Sequence, residues 1–359
     1  MRGCLARQLT AAAAVAAIGA GVLGGIPSPA MAQTATAAPR WRIYFKSPHG
    51  PSDLTDVTAV GRKSAWAAGT NAAGLYLMHW NGSGWHQQTV PGSKNCIPYS
   101  VQATSASVVW VMCESEVAGP PTAFVLDGGV WRPESLPDTA TATAAGNADV
   151  WGYGAGGSCT GASPPVCVAQ VWHWSAGTLM TSSLPGDVVS MTAAGGHVWL
   201  LADTSTANES GRVTVYEGGN SGLRKVAALS ATAGVFPQIA ASPAGRVWVL
   251  SQALSAHGRA AVYSWNGRRW TRDLVPAAAD FGSWGFVYDG HSGAWLGPYA
   301  HWTGRRWVIT RPSGPTSQFE LMYIAPVAGT SSAWAVGFNS ARPGTRAYRG
   351  LIALLGSRP

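Results

Sequence analysis

Ser64-Ala65-Trp66-Ala67-Ala68-Gly69, followed by His79-Trp80-Asn81-Gly82-Ser83-Gly84-Trp85, is the stretch on which the reading of this chain turns. Its first half returns in altered form around Trp110, Trp151, Trp199, Trp248, Trp295 and Trp334, at spacings of 44, 41, 48, 49, 47 and 39 residues, so the chain holds seven copies of one unit. A period of roughly 40–50 residues marks an architecture in which each unit buries its apolar face only against its neighbours.

Each copy opens with small and β-branched residues, as in Asp56-Val57-Thr58-Ala59-Val60, then turns into the tryptophan run. Alternation at period two is the mark of a strand. Leu75 to Trp80 reads as a third strand, and Asn81-Gly82 behind it is a hairpin signal. A fourth strand begins with an aromatic and often ends at proline, as in Trp85 to Pro91, Trp131 to Pro137, Trp270 to Pro276 and Trp307 to Pro312. Four strands per repeat, with no helical apolar period beyond the first residues, predict an all-β, seven-bladed β-propeller with four-stranded blades. The seventh copy stops after Leu351 to Leu355 with no fourth strand, while Arg40 to Pro48 matches Arg306 to Pro312. An N-terminal strand is therefore expected to complete the last blade and close the ring, which removes two exposed sheet edges.

The repeat resembles the Ala-Trp-Ala-Val-Gly and His-Trp-Asn-Gly-x-x-Trp repeats of exported bacterial propellers, most of them uncharacterised, and the resemblance covers residues 40 to 359. The Gly-His and Trp-Asp pairs of WD40 repeats are missing, as is the Ser-x-Asp-x-Gly-x-x-Trp box of sialidase-type propellers. The resemblance implies a fold and a compartment and brings no catalytic residue.

The N-terminus agrees with export. Arg2 and Arg7 precede an uncharged apolar run from Leu9 to Leu23, and Ala30-Met31-Ala32 has the small-x-small form of a cleavage site. The expected order is a signal peptide at 1–32 cut after Ala32, a disordered leader at 33–39, and the propeller at 40–359. The apolar run is too short to span a bilayer, so a secreted monomer with no membrane attachment is expected. The whole chain carries a formal charge of +8, and losing Arg2 and Arg7 leaves +6. The arginines are scattered except at Arg268-Arg269-Arg272, Arg305-Arg306-Arg311 and Arg342 to Arg349; a nucleic-acid surface needs denser clusters, so nucleic acid is not an expected partner. The Arg342 to Arg349 loop is a candidate contact for an anionic wall polymer.

Cys96, Cys113, Cys159 and Cys167 survive cleavage, an even set in an exported chain, and their spacing lacks the Cys-x-x-Cys pattern of zinc sites. Three pairings are possible by count. In a propeller the fourth-to-first and second-to-third connections share one face, here called upper. Cys96 precedes the first strand of blade two and Cys113 follows its second, while Cys159 and Cys167 flank one upper loop, so the predicted bridges are Cys96–Cys113 and Cys159–Cys167.

The blade tryptophans are expected to fill the space between blades, and Trp80, Trp174, Trp265 and Trp302 to lie farther out between blade edges. Trp284 falls outside the repeat, in the connection into blade six, and is the candidate stacking aromatic. His79, His173 and His301 share one repeat position on separate blades, so they are expected to donate to a neighbouring turn rather than to hold a metal; no cofactor is implied. Counting ten residues back from each blade Trp gives a channel-mouth ring of Asp56, Ser100, Thr141, Val189, Gln238, Gly285 and Ile324; a one-residue error turns Tyr99 and Tyr323 inward. Asp53, Glu114, Asp187, Phe319 and Glu320 flank it. Almost no insert separates Trp295 from Trp302, so a groove is expected over blade six.

The leading functional expectation is a secreted binding module for a glycan or other polar ligand at the upper mouth of the funnel, through Asp56, Ser100, Gln238, Trp284 and Tyr323. Its partner would be an extracellular or cell-wall polysaccharide, or another secreted protein. The alternative is a glycan-active enzyme, a polysaccharide lyase or glycoside hydrolase, with Asp56, Asp187 and Glu320 as acids and Tyr99 and Tyr323 as bases. A structural surface protein with a plugged funnel is the third reading.

Overall fold

The computed structural model describes residues 40–48, 50, 52–115, 122–137, 141–154, 158–160, 166–204, 212–219, 221–230, 238–251, 260–276, 285–310, 319–340 and 348–356. The expected signal peptide and leader lie outside them. Strand β1 (Trp41–Lys46) comes first. Blade one is β2 (Asp56–Gly61), β3 (Ser64–Asn71), β4 (Gly74–Trp80) and β5 (Trp85–Gln88). Blade two is β6 (Cys96–Ala103), β7 (Val108–Ser115), β8 (Thr122–Asp127) and β9 (Val130–Ser135). Blade three holds β10 (Thr141–Gly146), β11 (Asp149–Tyr153), the short extra β12 (Ser158–Thr160), β13 (Val166–Ser175) and β14 (Thr178–Pro185). Blade four is β15 (Asp187–Ala194), β16 (His197–Asp203), β17 (Arg212–Gly219) and β18 (Gly222–Ser230). Blade five is β19 (Gln238–Ala241), β20 (Val247–Ser251), β21 (Ala261–Trp265) and β22 (Trp270–Leu274). Blade six is β23 (Phe286–Tyr288), β24 (Ala294–Leu296), β25 (Ala300–Trp302) and β26 (Trp307–Ile309). Blade seven is β27 (Phe319–Pro326), β28 (Ala333–Ser340) and β29 (Tyr348–Leu355), completed by β1.

Every neighbouring pair within a blade is antiparallel, and β1 pairs with β29 from Trp41 opposite Leu355 to Lys46 opposite Leu351. The closing strand does more than supply hydrogen bonds. Its bulge between Ile43 and Phe45 brings Tyr44 edge-on to Trp334 at 5.4 Å and Trp80 at 6.2 Å, across the junction of blades seven and one.

Seven apolar clusters fill the seven seams, and each contains one blade tryptophan. Those seven indoles are 0 to 5% exposed, and burial of each side chain contributes on the order of 2–3 kcal/mol. Trp80, Trp174, Trp265 and Trp302 lie on the opposite faces of their sheets, each in the seam with the preceding blade. Ala65, with no bulk of its own, sits opposite Trp80. The alternation of the strand thus sends one tryptophan to each side of a blade.

The repeat histidines lie flat on the blade indoles. His79 stacks on Trp66, His173 on Trp151 and His301 on Trp295, with centroids 4.0 to 4.2 Å apart and planes within 15°. Their nitrogens meet Ser64, Asp149 and Asp289, all at the first hairpin of the same blade. Burial of Asp289 opposes ionisation, but hydrogen bonds from His301 and from the backbone N–H groups of Gly293 and His291, with the charge of His301, hold its carboxyl below the usual range.

The Asn-Gly hairpin is a four-residue loop in which the Asn81 carboxamide oxygen accepts from the N–H groups of Ser83 and Gly84; Asn266 serves Arg268 and Arg269 in the same way. The glycine ending the tryptophan run is required by close approach. A Cβ on Gly69 would stand 2.1 Å from the Asp53 carbonyl oxygen, and one on Gly337 would stand 1.8 Å from that of Glu320.

Candidate functional site

The inner strands of all seven blades surround a central channel with a cavity of about 510 Å³. Pairing with the second strands fixes which residues form the ring near its upper mouth. Asp56, Ser100, Thr141, Gln238 and Gly285 each lie opposite the residue two beyond the blade Trp, as the sequence count places them. In blades four and seven the position belongs to Ser190 and Tyr323, not to Val189 and Ile324. The cause is the length of the first hairpin: Ala193 pairs with Val198 in blade four and Pro326 with Ala333 in blade seven, one residue closer and one farther along the chain than Ala59 and Ala65 in blade one, which shifts the count by one residue. Val189 packs into the seam of blades four and five, and Ile324, 3% exposed, into that of blades six and seven.

Ring side chains stitch adjacent blades. The two carboxylate oxygens of Asp56 accept from its neighbour Val57 N–H and from Val101 N–H of blade two, both at 2.8 Å. Ser190 accepts from Ile239 N–H of blade five at 3.1 Å. One level down, Thr58 accepts from Ala103 N–H, and the Gln102 amide oxygen accepts from the Thr143 hydroxyl and Ala144 N–H of blade three. Gln102 also donates to Ser100, so one polar chain runs across blades one to three. Burial pushes the Asp56 carboxyl up to about 6, against the opposing pull of Val101, Val57 and the Ser100 hydroxyl.

The wall is two-sided. Below the ring, Thr58, Gln102, Thr143 and Thr192 line it from blades one to four, interleaved with alanines such as Ala59 and Ala103, and Ala241, Val287, Tyr288 and Ala325 line it from blades five to seven. Asp56 is the single carboxylate among the described lining residues. Asp187, the first residue of β15, and Glu320, the second of β27, stand three residues above the ring positions of blades four and seven, about 10 Å along an extended chain. Asp53, at the equivalent place in blade one, accepts from the N–H and hydroxyl of Thr70.

Neither tyrosine is set up as a base. Tyr99 is the bulge residue of β6; it packs into the seam of blades two and three and accepts from Ala142 N–H. Burial, then the charge of Glu114, pushes its phenol up. Tyr323 is raised by burial and then by the Asp56 charge. A phenol with a raised pKa is a poor proton acceptor near neutral pH. Among the described residues no three His, Cys, Asp or Glu side chains gather as a metal site requires.

Cys96 and Cys113 form a disulfide. Both sit within β6 and β7 rather than in the loops, and both are buried in the seam of blades one and two. The backbone of the β12–β13 hairpin sets Cys159 directly opposite Cys167, whose side chains lie outside the described residues. Trp284, the Phe319 side chain and the loop from Arg342 to Arg346 lie outside them as well. The upper connection of blade six is the short turn Gly297 to Tyr299, but the flanking loops that would wall the expected groove are likewise outside.

No protein-family model matches the chain, and no curated protein matches it. Solved structures do. The chain is similar to YCF48 bound to D1 peptide, with a TM-score of 0.56 and 16% identity over 92% of this chain and 100% of that one. It is similar to the β-propeller domain of the trilobed protease from Pyrococcus furiosus, with a TM-score of 0.53 and 9% identity over 84% and 95% of the two chains. The Pyrococcus horikoshii acylaminoacyl peptidase matches with a TM-score of 0.54 and 9% identity over 84% of this chain and 51% of its own. At these identities the likeness is one of fold.

Proposed function

We propose that the chain is a secreted binding module, processed after Ala32, that takes a neutral glycan at the upper mouth of its channel. One observation carries the reading: the channel wall, with hydroxyl and amide groups on blades one to four and mainly apolar groups, beside the Tyr288 phenol, on blades five to seven. A pyranose has hydroxyl edges and a C–H face, and such a wall meets both. Ser100, Gln238 and Tyr323 would hold the ligand at the ring, Trp284 would stack on it from the connection into blade six, and Asp56, already committed to two backbone N–H groups, would act mainly by position.

The lone carboxylate in the described wall weighs against a hydrolase using Asp56 with Asp187 or Glu320, and the raised phenols of Tyr99 and Tyr323 weigh against a lyase. A second reading, a polypeptide ligand, is supported by the propeller that matches 92% of this chain and was solved with a bound peptide.

The test is retention of the secreted chain on immobilised plant, microbial and cell-wall polysaccharides beside a peptide array, with mass spectrometry of whatever becomes soluble. Retention on one polysaccharide, weakened in Tyr323→Ala and Gln238→Ala, is the expected result. Released oligosaccharides would establish an enzyme instead, and retention on peptides alone would establish the second reading. N-terminal sequencing of the secreted chain checks the processing site.

A further inference from the structure

Blade six is the thinnest: β23, β24, β25 and β26 have three residues each. Its short strands leave both of its seams open on the lower face, the side of the first-to-second and third-to-fourth hairpins. The seam with blade five holds a crevice of about 180 Å³, lined by Trp248, Ser264, Asn266 and Trp302 among others. The seam with blade seven holds one of about 320 Å³, lined by Trp295, His301, Thr303 and Leu355 among others. Ser292, on the β23–β24 turn, lines both.

The crevice beside blade five differs from the seams of blades one, three and six, as do the seams of blades two, four and seven, where Val125, Glu217 and Leu354 face the blade Trp. The residue opposite the blade Trp is a histidine stacked on the indole in blades one, three and six. In blade five it is Ser264, opposite Trp248. The imidazole is gone, and the Ser264 hydroxyl is buried with no hydrogen-bond partner. A buried hydroxyl without a partner costs free energy that a ligand group can recover. Two charged residues border the same crevice, Arg246 and Asp273, and neither forms an ion pair among the described residues. Partial burial holds the Asp273 carboxyl above its usual range. Beside two largely buried indoles, Trp248 and Trp302, a hydroxyl, an amide, a guanidinium and a carboxylate border a space for one ring, and these are groups that bind sugar hydroxyls.

We propose that the lower face carries a second binding site, straddling the β23–β24 turn, for a neutral oligosaccharide that places one sugar ring in each crevice. It is separate from the channel mouth and does not depend on a ligand there. The shared wall at Ser292 sets the two rings as neighbours on one chain.

The test uses the full secreted chain labelled with 5-fluorotryptophan and titrated with cellotetraose, chitotetraose, xylotetraose and maltotetraose. One of these is expected to move the fluorine resonances of Trp248 and Trp302. Ser264→His restores the ring that blades one, three and six carry there, and should weaken binding at least tenfold. Ser292→Trp, on an exposed turn that tolerates the change, should block both crevices and abolish the shifts even if the first variant folds poorly. The proposal is overturned if no tetrasaccharide moves the resonances of Trp248, Trp295 or Trp302, or if both variants bind as the natural chain does.

Discussion

Asp56→Asn should change stability with a sign that depends on pH. The natural carboxyl titrates at about 6 in the fold against 3.8 unfolded, so the folded chain holds this proton more tightly. Its contribution is most favourable below 3.8 and is lost as pH climbs through the window to about 6. The shift of roughly two units corresponds to about 3 kcal/mol against the fold once the group is fully ionised. Asparagine cannot ionise, which removes that penalty. It also keeps only one acceptor for the N–H groups of Val57 and Val101, and leaving one of them unmet costs about 1 kcal/mol. The variant should therefore be more stable than the natural chain by about 2 kcal/mol at pH 8 and less stable by about 0.5 kcal/mol at pH 4, where the unfolded carboxyl is already more than half ionised. Urea unfolding at the two pH values measures both numbers. A difference that stays the same from pH 4 to pH 8 would refute the placement of Asp56 in a desolvated junction between blades.

Three further outcomes test the packing. Gly337→Ala puts a Cβ 1.8 Å from the Glu320 carbonyl oxygen, so the inner strand of blade seven must shift; a loss of at least 2–3 kcal/mol is expected in urea unfolding. Ala176 holds φ of 48° in the hairpin between β13 and β14, where asparagine is at ease, and Ala176→Asn should raise stability by about 1 kcal/mol, read as a higher melting temperature. Reduction of Cys96–Cys113, which closes a loop of 17 residues, should cost about 3 kcal/mol, seen as a lower urea midpoint with and without reductant.

The seven blades were legible because each copy repeats one pattern that serves one purpose: a large indole between small residues on the second strand fills the seam to the next blade. Closure was legible because the missing fourth strand and its supernumerary match stand at opposite ends of the chain. The role of the histidines was legible only in part. His79, His173 and His301 follow their tryptophans by 13, 22 and 6 residues, because loops of different length intervene, so no fixed spacing announces the stack. Strand pairing, not sequence distance, brings each one onto its indole.

The channel ring shows why the site was harder to read than the fold. A ring assigned by counting assumes that the first hairpin has the same length in every blade. A first hairpin one residue shorter or longer leaves the repeat pattern intact, and it moves every inner-strand side chain by one position against the blade Trp. In β15 and β27 that single residue replaces Val189 and Ile324 by Ser190 and Tyr323, turning two apolar positions into a hydroxyl and a phenol. Asp56 illustrates the opposite difficulty. Its place was counted correctly, yet nothing near it in sequence marks it as a clamp, because the N–H group it holds belongs to Val101, 45 residues away in the next blade. An acid at a channel mouth reads as a free ligand group until the neighbouring blade is set beside it. The polar residues proposed to bind and those that hold the ring together are drawn from the same positions, so substitution at this mouth has to be read with a stability measurement before it is read as binding.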